Sequence, residues 1–341
     1  MTKRTGNQRR ATGITQHGLE RQKLLLIRIW GLMGLVDTGG RLDFQRATGI
    51  PDLQRSLLSM IGNFGGVTST ELVMLTGREK AQISHTVAAL VDLRLVERPG
   101  VRAPLMLSPQ GKVLFERLMA IAEQGDAALT RGIPRTAIAD FLALLQRLVD
   151  RSATVLAHEQ ELAIDAGAAG WATRPQLSTF PERLRASGPD RPMSLMVSPR
   201  LKALLAYLER GAAVTYRRMM GFSLFETIVI SHIGDQTAIM LTRLIELTNR
   251  DKGQVGRMIK HLEADGLVAR APGSTTRRVA LCLTDSGRAV AARMLDIAKV
   301  RDNVLMTGVS DAERAGFVAT LDALTANAAA RLEELRSAQA A

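Results

Sequence analysis

Two stretches of this 341-residue chain place side-chain amides and cations at helical spacing. The first carries Arg78, Lys80, Gln82, Ser84 and His85; the second carries Arg250, Lys252, Gln254, Arg257, Lys260 and His261. These are groups that grip and read nucleic acid. A glutamine amide pairs with adenine N6 and N7, and a guanidinium with guanine O6 and N7. Gln82 and Gln254 occupy equivalent places, so each suits adenine. Arg257 suits guanine, and its counterpart His85 is a weaker, pH-sensitive reader. The two halves should therefore prefer related but unequal half-sites. Arg78, Lys80, Arg250 and Lys252 suit phosphate, which fixes register without reading sequence.

A helix must present these groups, and the chain supplies it twice. "LTGREKAQISHTVAALVDLRLVERPG" starts at Leu75, and "LTNRDKGQVGRMIKHLEADGLVARAP" starts at Leu247. At an offset of 172, nine of 24 positions are identical between Leu75–Arg98 and Leu247–Arg270. Further on, the offset becomes 176 and aligns Gly111 with Gly287, Gly132 with Gly308 and Phe141 with Phe317. A four-residue insertion at a hairpin tip accounts for the change. The chain is an internal duplication of two copies, each of about 140 residues.

Each copy reads as mostly helical. First helices are expected over 19–36 and 199–215, second helices over 50–62 and 222–234. The short stretches "STELVMLT" and "MLTRLIELT" come next, then helices over 78–93 and 250–264. In these last helices Ile83, Val87, Leu90 and Val91, or Val255, Ile259 and Leu262, form one apolar face that packs on the short helix before it. The polar residues named above lie opposite. Two short helices with amides and cations on the outer face of the second make a helix-turn-helix. The alternation of Val279, Leu281 and Leu283 beside a Pro-Gly-Ser tip predicts a β-hairpin, with Arg277 and Arg278 near the tip and Arg102 in the first copy. Long helices over 109–129 and 134–161, and over 285–305 and 310–337, close the copies. Pro-rich residues 163–197 are expected to be a linker between a first domain at 18–162 and a second at 198–338. Residues 1–17 form a basic arm.

Composition bounds the alternatives. Aromatics are 4% against 46% hydrophobic residues, so the cores are aliphatic, which favours a mainly α fold. Net charge is +12, shared as +5 over residues 1–170 and +7 over 171–341, which points to a polyanionic partner. The single cysteine, Cys282, excludes an intrachain disulfide and fits a reducing cytoplasm. Its place between Leu281 and Leu283 reads as packing rather than a redox switch. The longest apolar stretch, Leu24–Val36, holds an arginine and is too short to span a bilayer, so no membrane partner is expected. The five histidines have no ligand neighbours at metal spacing, so no metal is expected. No cofactor cradle, Ser-His-Asp cluster or pair of catalytic carboxylates stands out, so an enzyme is not expected.

The order helix-turn-helix, "HLEADGLVAR", hairpin with "TTRRVALCLTDSGR", then long helix resembles the MarR family of winged-helix transcription regulators. The second copy carries the resemblance more fully. In the first, Arg94 stands where Gly266 stands, the wing keeps only Arg102, and "LSPQGK" echoes "LTDSGR". The resemblance implies an α+β winged-helix fold in which two domains pair about a two-fold axis, here within one chain as a pseudo-two-fold dimer. Each domain would place its recognition helix in a major groove and its wing over a minor groove of a double-stranded DNA operator. It also implies a small aromatic or phenolic effector that releases DNA by moving the recognition helices apart. Trp30, Arg46, Tyr216 and Arg218 are candidates by position for that effector. The rival reading is an architectural or interaction protein whose first copy only pairs.

Overall fold

Helix starts along the chain follow capping chemistry written in the sequence. Thr68 with Glu71, and Ser223 with Glu226, form reciprocal capping boxes, so two otherwise orphaned backbone donors are satisfied at each site. Ser108 accepts from the Gly111 amide just ahead of Pro109, the first residue of its helix. The computed structural model describes residues 13–100, 103–167, 179–186, 192–248, 250–275 and 278–340. It is mainly helical. The first copy runs through helices Gln16–Arg21, Leu25–Thr48, Asp52–Phe64, Ser69–Thr76 and Lys80–Asp92, strands Val96–Glu97 and Met106–Leu107, then helices Pro109–Leu129 and Arg135–Asp165. The second runs through helices Val197–Met220 and Leu224–Gly234, strand Ile239–Met240, helices Leu241–Thr248 and Lys252–Ala264, strands Val268–Arg270 and Ala280–Leu283, then helices Asp285–Leu305 and Asp311–Ala340.

The strand registers of the two stretches correspond. Val96 pairs with Leu107 and Glu97 with Met106; at the offsets of 172 and 176, Val268 pairs with Leu283 and Ala269 with Cys282. The third strand of the second copy, where Ile239 faces Leu281, matches an isolated bridge between Val67 and Leu105 in the first. That third strand is too short to show a period and was not foreseen. A close approach recurs as well. A Cβ on Gly111 would stand 1.9 Å from the Leu95 carbonyl oxygen, and one on Gly287 2.0 Å from that of Leu267. Only glycine lets the long helix start against the strand at those two places.

The chain forms two compact units that do not follow its linear halves. One joins the residues up to Ile27 to Thr215–Val304, and the other joins Arg28–Val214 to the residues from Leu305 on. In the first unit the segment before the long N-terminal helix docks on the second winged helix. Ile14 bridges Gln236, the Thr15 amide donates to the Asp235 carbonyl at 2.9 Å, and Arg21 grips the Asp235 carboxylate at 2.5 and 2.7 Å. Burial pushes that carboxyl up, but Arg21 and His232 outweigh it and hold Asp235 below its usual value.

In the second unit, Leu57, Leu58, Ile61, Leu72, Leu75, Ile83, Val87 and Leu90 close one aliphatic core under the first winged helix. Each such side chain contributes roughly 1.5–3 kcal/mol on burial. The stretch expected to be linker is not without structure. It holds helices Phe180–Ala186 and Pro192–Leu195. Phe180 and Leu184 enter the same core, and the Thr179 amide donates to the Met74 carbonyl at 2.8 Å. Two apolar residues four apart were the available signal, masked by the prolines around them.

Several contacts inside these units join one copy to the other, and they come in reciprocal pairs. Asp302 accepts from the Leu25 amide at 3.0 Å; the equivalent Asp126 accepts from the equivalent Val197 amide at 3.0 Å. Arg151 donates to the Leu305 carbonyl at 2.7 Å; the equivalent Asn327 donates to the Leu129 carbonyl at 2.9 Å. Arg21 meets Asp235, and the equivalent Met193 amide meets Asn63 at 3.3 Å. Phe141 stacks on its own equivalent, Phe317, with centroids 4.4 Å apart and planes inclined by 17°.

Candidate nucleic-acid interface

The second recognition helix, Lys252–Ala264, is built so that its outer face is free. Val255, Ile259 and Leu262 are buried beneath it. Lys252, Gln254, Arg257, Lys260 and His261 are all exposed. Asp251 caps the helix by accepting from the Gln254 amide at 2.9 Å, which fixes the first turn and so the direction of Gln254. Arg250, Gln254, Arg257 and His261, with Phe225 and Met258, line one open groove of about 390 Å³. Four residues expected to touch DNA thus converge on one concavity.

The groove's walls come from outside the helix-turn-helix and were not singled out in the sequence. The Arg250 guanidinium lies 5.7 Å from the centroid of the Phe225 ring, a contact that holds a cation at the groove's edge. His261 Nε2 lies 3.2 Å from Glu226 Oε1 and 3.6 Å from Asp265 Oδ2. Glu226 is the capping-box carboxylate of helix Leu224–Gly234, also accepting from the Ser223 amide at 2.7 Å. His261 is therefore held between two carboxylates and orients the groove wall. The Ser-x-x-Glu spacing at 223–226 was the signal that could have found Glu226.

The first recognition helix, Lys80–Asp92, buries Ile83, Thr86, Val87 and Leu90. Val91, expected on that apolar face, is 39% exposed because it lies at the face's edge near the helix end. Arg78, Lys80, Gln82, Ser84 and His85 are exposed. Glu79 occupies the cap position and makes no side-chain cap bond. At the base of the wing Arg98 donates to the Ser69 hydroxyl, tying the strand to the preceding helix, while Arg270 lies 3.7 Å from Glu263. Arg278 is exposed in the second hairpin. Arg102 and Arg277 lie outside the described residues.

The effector candidates fall in both compact units. Tyr216 is buried at 6% exposure, and its hydroxyl donates to the Met294 carbonyl at 3.1 Å. Burial raises its pKa. Arg218 is half-buried in the same unit. Trp30 is half-buried in the other unit, where Arg46 is exposed and donates to the Leu335 carbonyl at 2.9 Å. The structure gives Tyr216 and Arg46 bonding partners within their own units, and does not gather the four side chains in one unit. Cys282 is half-buried, with its sulfur 3.7 Å from the Ala269 carbonyl oxygen, a packing position. Among the described residues no group of three or more His, Cys, Asp or Glu side chains could hold a metal. Among them, too, no helix is long and apolar enough to cross a membrane.

A helix-turn-helix whose second helix exposes cations and amides, followed by a paired-strand wing, defines a winged-helix DNA-binding domain. In the family comparison residues 48–103, which hold the first helix-turn-helix, match the MarR family; the match falls on the first copy and not on the second, which carries the fuller sequence resemblance. That family consists of DNA-binding transcription regulators rather than enzymes. Two solved structures are similar to this chain. One is BpsR of Bordetella bronchiseptica, whose DNA binding is regulated by 6-hydroxynicotinic acid, at 25% identity. The other is a MarR family transcriptional regulator from Silicibacter pomeroyi DSS-3, at 31% identity. Each alignment covers 36% of this chain, and 90% and 91% of the respective neighbour, with a TM-score of 0.29. No protein of curated function matches the chain.

Proposed function

We propose that this chain is a sequence-specific, double-stranded-DNA-binding transcription regulator, a ligand-responsive repressor whose two winged-helix copies pair within one polypeptide on a pseudo-palindromic operator. The observation that carries the DNA reading is the groove in which Arg250, Gln254, Arg257 and His261 converge above an apolar-backed helix. In this reading Gln254 and Gln82 bond adenine, and Arg257 bonds guanine. Arg78, Lys80, Ser84, Arg250, Lys252 and Lys260 hold phosphate, and Arg102, Arg277 and Arg278 supply cations for the adjacent minor groove.

Reciprocal contacts support the intramolecular pairing. A two-fold interface is isologous: if residue i of one copy meets j of the other, then j meets i across the axis. Asp302 with Leu25 and Asp126 with Val197 follow that rule, as does Phe141 against Phe317. The effector class, a small aromatic or phenolic acid, rests on the family match, with Trp30, Arg46, Tyr216 and Arg218 as candidate contacts. Such an effector releases DNA by binding one arrangement of the recognition helices more tightly than the other.

The test is sedimentation of the free chain combined with selection of bound duplexes from a random library. A 37.0 kDa species that enriches two half-sites about one helical turn apart, roughly 34–36 Å, is expected. Absence of any enriched sequence would refute the DNA reading, and an obligate species of twice that mass would refute the self-dimer. Gln82→Ala is expected to weaken specific binding; a silent outcome would leave the first copy with a pairing role alone.

A further inference from the structure

From the unequal outer faces of the two recognition helices we infer that this protein binds a directional operator, with guanine fixed in only one half-site by Arg257 and the equivalent base left open by His85. The inference rests on the DNA-binding function proposed above. A regulator made of two identical subunits cannot discriminate the two ends of its site. A fused pair can, provided that equivalent positions differ in reading chemistry and not only in packing.

The two faces differ in that way. On the second helix Arg257 lies in the groove beside Gln254 and His261. Its guanidinium reaches back over the helix's first turn, where Gly253 leaves space; a Cβ there would stand 3.6 Å from Arg257 Nη1 and 3.1 Å from Asp251 Oδ1. In the first copy Ala81 fills the position of Gly253 and His85 that of Arg257. A guanidinium donates two parallel hydrogen bonds to guanine O6 and N7. An imidazole presents one nitrogen to one acceptor, so it does not fix a base pair in the same way.

Neighbouring positions act in the same direction. Lys260 and His261 are replaced by Ala88 and Ala89. Met258, a wall of the groove, is replaced by Thr86, which is 7% exposed and bonds the Gln82 carbonyl at 2.8 Å. Asp251 caps its helix, whereas Glu79 does not. Between Arg250 and His261 the second copy offers Arg250, Lys252, Arg257 and Lys260, against Arg78 and Lys80 in the first. What the copies share is Arg78 with Arg250, Lys80 with Lys252 and Gln82 with Gln254, so the half-sites keep the adenine and lose the guanine.

The experiment uses the full chain and duplexes selected from a random library. The wild-type chain should enrich an imperfect palindrome with guanine fixed on one side. Changing that guanine should weaken binding about tenfold or more, and changing the equivalent base on the other side less than about threefold. His85→Arg should enrich guanine on both sides, and Arg257→His should abolish the fixed guanine. Both positions are exposed, and matching melting curves confirm that the variants fold. Orientation is read by placing an iron-chelate cleavage reagent on Thr275→Cys in a Cys282→Ser chain; it should cut only the flank beside the fixed guanine. A symmetric wild-type palindrome, equal cutting at both flanks, or a His85→Arg chain that selects the wild-type sequence would overturn the inference. Failure to enrich any sequence would instead refute the DNA-binding function, and this inference with it.

Discussion

The reciprocal helix caps give a prediction whose size can be worked from the structure. Asp302 accepts from the Leu25 amide at 3.0 Å. Asp126 accepts from the Val197 amide at 3.0 and 3.2 Å, and from the Ser198 amide and hydroxyl at 3.2 Å. Loss of a capping side chain costs about 0.5–2 kcal/mol, and a carboxylate at a helix start adds about 0.3–1 kcal/mol through the helix dipole. Asp302→Ala removes that cap and is expected to cost about 1 kcal/mol or more. Asp126→Ala should cost about 2 kcal/mol, because it leaves two backbone donors without their acceptor. Burial raises the Asp126 carboxyl above its usual value despite those bonds. The sign follows: with the folded-state pKa raised, its titration favours folding at low pH and loses that contribution as pH rises through the folded value. Asp126→Asn keeps an acceptor and removes the buried charge, so it should stay within about 1 kcal/mol of wild type at pH 7. Urea unfolding of the three variants at pH 7 decides the matter. Alanine variants that both match wild type, or an Asp126→Asn chain as weak as Asp126→Ala, would refute the reasoning.

Two further outcomes are expected. Burial pushes Glu209, on helix Val197–Met220, from 4.5 up to about 7, with Lys202 pulling the other way. Wild type should therefore lose stability as pH rises from 4.5 through about 7, by up to roughly 3 kcal/mol at ~1.4 kcal/mol per unit. Glu209→Gln should remove that slope in melting scans from pH 5 to 8; an unchanged slope would contradict it. Arg94 takes a left-handed backbone at φ +57°, where the equivalent Gly266 sits at +70°. A side chain there costs about 1–2 kcal/mol, and glycine returns about 0.5–1 kcal/mol through the unfolded chain. Arg94→Gly should then stabilise the first winged helix by about 0.5–1 kcal/mol in urea unfolding, and Gly266→Arg should destabilise the second.

Much of this was legible because repeats and caps are local. The recognition helices, their buried faces and the hairpin register follow from spacing in "LTNRDKGQVGRMIKHLEADGLVAR" and from the offsets between copies. The four groove residues Arg250, Gln254, Arg257 and His261 were legible for the same reason. What was not legible depends on contacts far apart in sequence. Phe225 reaches the groove, and Glu226 reaches His261, from helix Leu224–Gly234, and nothing in their own neighbourhood points at residue 261. The Phe180–Ala186 helix hides among prolines, and its reason for existing lies in a core some hundred residues earlier. The early helix expected at 19–36 runs from Leu25 to Thr48, and its start at Leu25 is capped by Asp302, a partner no local window contains.

The reciprocal contacts also show where the two copies are free to diverge. Arg151 and Asn327 are different side chains at equivalent places, yet each donates to the last carbonyl of a long helix, at Leu305 and Leu129. Helix ends carry carbonyls without intrahelical partners, and any well-placed donor satisfies them. A guanidinium and an amide are therefore interchangeable there. The carboxylates Asp126 and Asp302 stand at equivalent places because a helix start needs an acceptor for its free amides. The same rule gives the opposite result on the recognition helices. A base edge distinguishes two parallel donors from one, so under the proposed DNA-binding function the exchange of Arg257 for His85 is expected to change which sequence is bound.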